Sequence, residues 1–222
     1  MILRSILALF VFAPLLLATP ARAEESFSSR PFVAAHAGYS FPFGTFTGED
    51  NPLWLYNVYS GMFPLGLEAG YRFSPLWGGG VHAQYAIAQL RDACPPAVDC
   101  SGGDLRVGAD IYFHPPINRY AAPWTSLGVG YERTWYPASV DGAGATLTYA
   151  GWDVSLAGGA NYHIAGPVVG GPFLALTMGQ YSHLTVDLGG NTGDEDLRYR
   201  SLHFWFQVGL RLSLELAPDS AR

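Results

Sequence analysis

Charged and imidazole side chains recur at alternate positions along apolar segments of this chain. Glu68, Arg72, Arg106, Asp110, Glu132, Asp153 and Arg211, with His36, His82, His114 and His203, almost all lie between two apolar neighbours. Guanidinium and carboxylate groups held together away from water form forked, charge-assisted pairs. Imidazoles beside them change charge near neutral pH. Two chemistries follow: a polar plug that fixes a fold, or a proton-sensitive path. Three arginines against four carboxylates come close to balance, which favours the plug, because an unpaired buried ion costs several kcal/mol. Nucleophilic chemistry has less support. Ser182 and His183 are strand neighbours that point to opposite faces. Ser201 and His203 share a face, but no third residue is specified by spacing. The six histidines are scattered singly, so neither a metal centre nor any other cofactor is expected.

The elements that carry these residues alternate with period two. Leu202, Phe204, Phe206, Val208, Leu210 and Leu212 oppose His203, Trp205, Gln207, Gly209 and Arg211. Phe63, Leu65, Leu67, Ala69, Tyr71 and Phe73 oppose Gly66, Glu68, Gly70 and Arg72. The pattern predicts eight strands, at about 31–42, 61–73, 77–90, 103–114, 121–135, 146–163, 168–185 and 199–213. The facing of the seventh stays open, since both its faces are apolar up to Gln180. Many of these strands match the ~9–11 residues that cross a bilayer at a tilt. Short connections after strands two, four and six alternate with longer polar ones after one, three, five and seven, as in a barrel with short turns at one end and long loops at the other.

Composition agrees with that reading. Of 222 residues 49% are hydrophobic and only 14% charged, lysine is absent, and the net charge of -6 comes with no basic cluster. That balance excludes a nucleic-acid partner. The polar face is mostly Gly, Ala, Ser, His and Gln, poor material for a solvated surface and suitable for a narrow barrel interior. Aromatics gather near predicted strand ends: Phe41, Phe43, Tyr85, Trp135, Tyr136 and Tyr149 at one end, Phe73, Trp77, Phe113, Tyr120, Trp124 and Tyr162 at the other. Two such belts are expected at bilayer interfaces. The fold class is therefore all-β, an eight-stranded antiparallel up-and-down transmembrane barrel, expected as a monomer against membrane lipid. Residues 1–23 read as a cleaved signal peptide, with Arg4, an apolar stretch, and Ala21-Arg22-Ala23 before Glu24. Residues 24–222 form the barrel domain, with a short tail at 215–222. Cys94 and Cys100 bracket a turn-rich loop, where a disulfide would add about 2 kcal/mol.

The turn segment Gly70-Tyr71-Arg72-Phe73-Ser74-Pro75 and the last strand His203-Phe204-Trp205-Phe206-Gln207-Val208-Gly209-Leu210-Arg211-Leu212 carry a resemblance. The chain resembles the small eight-stranded bacterial outer-membrane barrels, the superfamily of outer-membrane proteins A, X and W. The last strand departs from the family by ending in Leu212-Ser213-Leu214 instead of an aromatic residue. The resemblance implies an outer-membrane location and a non-enzymatic role, structural or in surface interaction. It also raises a protein W-like conduit for small apolar solutes and, less strongly, a lipid-modifying hydrolase. Trp54, Leu55 and Tyr56 in the first long loop are candidate contacts for an extracellular ligand or partner, because rigid aromatics anchor interfaces well. Asp194-Glu195-Asp196 forms an acidic tip whose carboxylates suit divalent cations.

Overall fold

The computed structural model describes residues 29–48, 52–91, 102–115, 121–140 and 143–216. The expected signal peptide, the cysteine pair and most of the expected tail lie outside the described residues. Among the described residues nine strands run in chain order: β1 (Arg30–Gly44), β2 (Tyr59–Arg72), β3 (Trp77–Leu90), β4 (Gly103–Phe113), β5 (Ala122–Val140), β6 (Ala143–Ala165), β7 (Val168–Leu188), β8 (Asn191–Asp196) and β9 (Leu202–Glu215). Every pairing is antiparallel. Consecutive strands pair from β1 to β7, and β9 joins β7 back to β1, closing a ring of eight. Closure leaves no free strand edge within the ring, so the ladders satisfy most backbone groups there without water, the outer half of the β1–β2 seam excepted.

The ninth strand departs from the expected eight. β9 pairs with β7 only up to Gln180, and beyond it β8 takes its place, with His183 opposite Asp196. Gly189 and Gly190 both have positive φ, 62° and 100°, and form the two-residue link between β7 and β8. Tight hairpins favour that backbone, because its twist matches the strands. Asp187 Oδ1 accepts the Gly190 N–H at 2.8 Å and pins the turn. With the long β5, β6 and β7, this hairpin extends the sheet past one end of the ring. We refer to that end, which carries the long loops, as outer and to the short-turn end as inner.

Alternation decides which face meets which medium. Leu67 (68%) and Leu210 (66%) are among the most exposed hydrophobic residues, while Glu68 and Arg211 beside them are buried. Strand seven has an orientation: Leu174 and Leu176 face out, and Phe173 and Thr177 face in. A closed wall of exposed Leu, Val, Ile and Phe running from Trp77 and Tyr162 at the inner end to Tyr85 and Tyr131 near the outer one is a surface for hydrocarbon. The aromatic belts are thinner than expected. Tyr136, Tyr149 and Trp124 are buried inside the ring, and Tyr120 lies outside the described residues.

A charge placed on the lipid wall should be costly, while the same charge would be harmless on a soluble surface. Leu67→Arg is expected to lower folding stability by about 2–4 kcal/mol in bilayer vesicles, read from urea unfolding. A change below ~0.5 kcal/mol would mean that this face meets water.

Candidate functional site

Inside the ring, Glu132 on β5 gathers donors from three other strands. Its Oε1 accepts from Arg106 Nη2 at 3.1 Å, Tyr181 OH at 3.0 Å and Trp205 Nε1 at 3.0 Å, and its Oε2 faces His203 Nε2 at 2.8 Å. The carboxylate is fully buried, so these contacts replace water entirely. Arg106 Nε also lies 3.0 Å from Asp104 Oδ1, close enough for an ion pair but off the line of a hydrogen bond. Its guanidinium carbon sits 5.5 Å from the Trp205 ring centroid.

A second group forms nearer the inner end. Arg211 forks onto Glu68, with Nε 3.1 Å from Oε1 and Nη2 2.7 Å from Oε2. Tyr112 donates to Glu68 at 2.9 Å, and His36 bridges Glu68 at 3.0 Å and Gln84 at 3.1 Å. His82 pairs with Asp110 at 2.5 Å. Asp153 Oδ2 has no hydrogen-bond partner and borders a cavity of about 70 Å³ between the two groups, together with unpartnered Gln207 Nε2 and Trp124 Nε1. That space suits a few bridging waters.

Aromatic rings close both ends. Toward the outer end Phe46, Tyr59, Tyr136, Tyr149, Tyr181 and Trp205 pack with Leu55, Val58 and Met62. Toward the inner end Phe32, Tyr112, Trp124 and Phe173 pack together, with the Arg211 guanidinium 4.7 Å from the Trp124 centroid. The interior is thus a charged layer between two aromatic plugs.

Neither the family models nor the curated proteins compared contain a sequence match. Solved structures do match in shape. A major outer membrane protein from Thermus thermophilus aligns at 14% identity and TM-score 0.56, over 86% of this chain and 100% of that one. Outer membrane protein AlkL aligns at 11% and 0.51, over 92% and 99%. OprG from Pseudomonas aeruginosa aligns at 11% and 0.50, over 85% and 97%. The chain has the outer-membrane β-barrel fold.

Within this barrel the residues singled out by spacing separate into four places. His36, Glu68, His82, Arg106, Asp110, Glu132, Asp153, His203 and Arg211 share the lumen. Arg72 sits at the inner rim instead, where its Nη1 meets Glu215 at 3.2 Å and Arg30 meets the same carboxylate at 3.1 Å. Its strand ends there, beyond the reach of the central charges. His114 is half-buried at the inner mouth, where burial, then Arg72 and Arg211, push it down to about 4 and keep it neutral. The outer loop separates Trp54 and Tyr56, which are exposed with centroids 5.5 Å apart, from Leu55, which is fully buried. Leu55 begins a single helical turn, α1 (Leu55–Val58), that drives Leu55 and Val58 into the outer plug.

Asp104 and Tyr181 belong to the network but not to the spacing argument, which put Trp205 on the inward face without giving it a role. Asp104 lies at the start of β4, before its alternation is established, though its parity with Arg106 was a usable signal. Ser201 and His203 diverge, with Ser201 Oγ accepting from Thr45 at 2.6 Å and His203 turned onto Glu132. With Asp104 counted and Arg72 removed, the lumen holds five carboxylates and two arginines among the described residues. Three histidines, His36, His82 and His203, each stand against one of these carboxylates.

Glu132→Ala strands a buried guanidinium and three further donors, so a loss of about 3–5 kcal/mol is expected. Arg72→Ala at the wetter rim should cost no more than about 1 kcal/mol. Denaturant unfolding of the two variants measures the difference, and equal losses would contradict a lumen organised on Glu132.

Proposed function

We propose that this protein is a non-conducting outer-membrane barrel that holds a binding surface outside the cell. The observation that carries the reading is the double aromatic closure of a charge-filled lumen, with a cavity of ≈ 70 Å³ between the plugs. Rigid charge pairing supports a scaffold role, since a network joining β2, β4, β5, β7 and β9 resists shear of the ring. The presented surface comprises the Trp54 and Tyr56 rings and the projecting β5–β8 sheet. Adjacent aromatics with few rotamers bind at small entropic cost. Surrounding lipid is the barrel's constant partner, and the chain acts as a monomer.

A sideways conduit for small apolar molecules is the second reading, and one observation favours it. The β1–β2 ladder runs unbroken from Arg30 to Ala37 and then keeps only the Ser40–Met62 pair. Pro42 and Pro64 lack the N–H groups that would continue it. Tyr39, Phe41 and Phe63 cover this seam from outside, and Met62 lies buried behind it.

Planar-bilayer recording separates a closed barrel from an aqueous pore. No unitary conductance is expected from the wild type at any pH between about 5 and 8, the range over which histidine changes charge, and steady channel events would contradict the plugs. Trp54→Ala/Tyr56→Ala should keep folding stability within about 0.5 kcal/mol. It should also abolish the attachment that cells displaying the wild type show to a surface. Unchanged attachment would remove these rings from the binding role.

A further inference from the structure

The outer wall of the barrel carries a mixed-charge trough where four strands meet, just above the apolar belt. One register row crosses them: Arg133 on β5 stands opposite Ala150 on β6, Ala150 opposite His183 on β7, and His183 opposite Asp196 on β8. Ala150 gives the row a low floor between longer side chains, and the resulting cleft measures about 650 Å³. It is of a size that takes small molecules and headgroups. The irregularity in the β6–β7 ladder at Ala150/Gly151 leaves Ser182 out of the register and turns His183 outward, where regular alternation would have placed it inside. Bulges commonly re-aim a side chain in this way.

The two ends of the trough differ in charge. Arg133 is exposed and makes no ion pair among the described residues. At the other end His183 Nδ1 meets Asp196 at 2.6 Å and Thr185 donates to Asp194 at 2.6 Å, which orients both carboxylates and leaves them acceptor capacity. Three strand spacings, about 14 Å between backbones, keep Arg133 from pairing directly with Asp196. Tyr131, on the same outward face of β5 and two residues toward the belt, is one of the interfacial rings. The trough therefore opens at the level of lipid headgroups. The acidic end presents carboxylates with free acceptor sites, which the three N–H donors of a primary ammonium fit.

We propose that this trough binds the headgroup of an outer-leaflet lipid that carries both a phosphate and a primary ammonium. The phosphate lies on Arg133, whose planar fork suits it, and the ammonium on Asp194 and Asp196. The inference rests on the outer-membrane reading above and gives the barrel a lipid of defined chemistry.

Refolding into vesicles of equal parts phosphatidylethanolamine and phosphatidylglycerol, then native mass spectrometry of the released protein, tests it. The wild type should retain phosphatidylethanolamine about tenfold over phosphatidylglycerol, the tenfold of a single added charged contact. Arg133→Gln should cut total retained lipid about tenfold, and Ala150→Leu, which fills the floor, should do the same while the barrel still folds. Asp194→Asn/Asp196→Asn should bring the two lipids to parity while retention continues. Equal retention of both lipids by the wild type, or wild-type retention by Arg133→Gln, overturns the proposal. Displacement of the lipid by soluble phosphoethanolamine at equal concentration would assign the site to a free metabolite and overturn the lipid assignment. A wild-type chain that fails to enter the vesicles, seen as an unshifted band on unheated gels, would instead refute the membrane reading itself.

Discussion

Glu132 is the point on which the interior turns. A carboxylate with no solvent exposure survives only when donors surround it, and here β4, β7 and β9 each supply at least one. Those strands are far apart in sequence, so the contacts form only when the ring has closed in one register. A slip of one residue on β4 or β9 would reverse its faces, sending an arginine or histidine into hydrocarbon and a leucine into the charged layer. Apolar packing does little to fix register on the outside, where lipid receives any greasy side chain alike. The buried charges supply that specificity from within.

Small residues make the charged layer possible. A side chain at Gly128 would run into Asp110 and Ser155, and one at Gly179 into His203 and Glu132. The glycines of the inward face are thus the volume into which carboxylates and imidazoles fit, in a ring barely wide enough for opposing walls to interlock. At the ends of the layer the same width is filled by rings instead, and Arg106 and Arg211 each join an ion pair to an aromatic face. Polar centre and aromatic ends therefore form one continuous filling. Above the belt, where the sheet outgrows the ring, the outward face carries its own arginine, histidine and acids.

Much of this was legible in the sequence because alternation is a strong signal when the two faces differ as sharply as Leu67 and Glu68. Strand number in the ring, strand direction and the inward set from Glu68 to Arg211 all follow from it. Where the pattern lacked contrast it said less. Strand seven reads as apolar on both faces because Phe173 fills the lumen while Leu174 meets lipid. Tyr136, Tyr149 and Trp124 look like interfacial rings by their nearness to strand ends, but parity counted from Glu132, Asp153 and Ser126 respectively turns them inward. Leu55 escaped because a single helical turn has period 3.6, and one turn is too short to reveal it. The β8 hairpin was hidden by an acidic composition that reads as loop, although Gly189-Gly190 was its turn signal.

The central claim is that one face of every ring strand meets lipid and the other a closed interior. Tryptophans sit on both sides: Trp77 and Trp152 point outward, and Trp124 and Trp205 are enclosed. Fluorine NMR of the full chain labelled with 5-fluorotryptophan, in vesicles whose acyl chains carry a nitroxide, reads the two sets at once. The Trp77 and Trp152 signals should broaden strongly while those of Trp124 and Trp205 stay sharp. Broadening of Trp205 with Trp152 left untouched would show that the barrel is inside out.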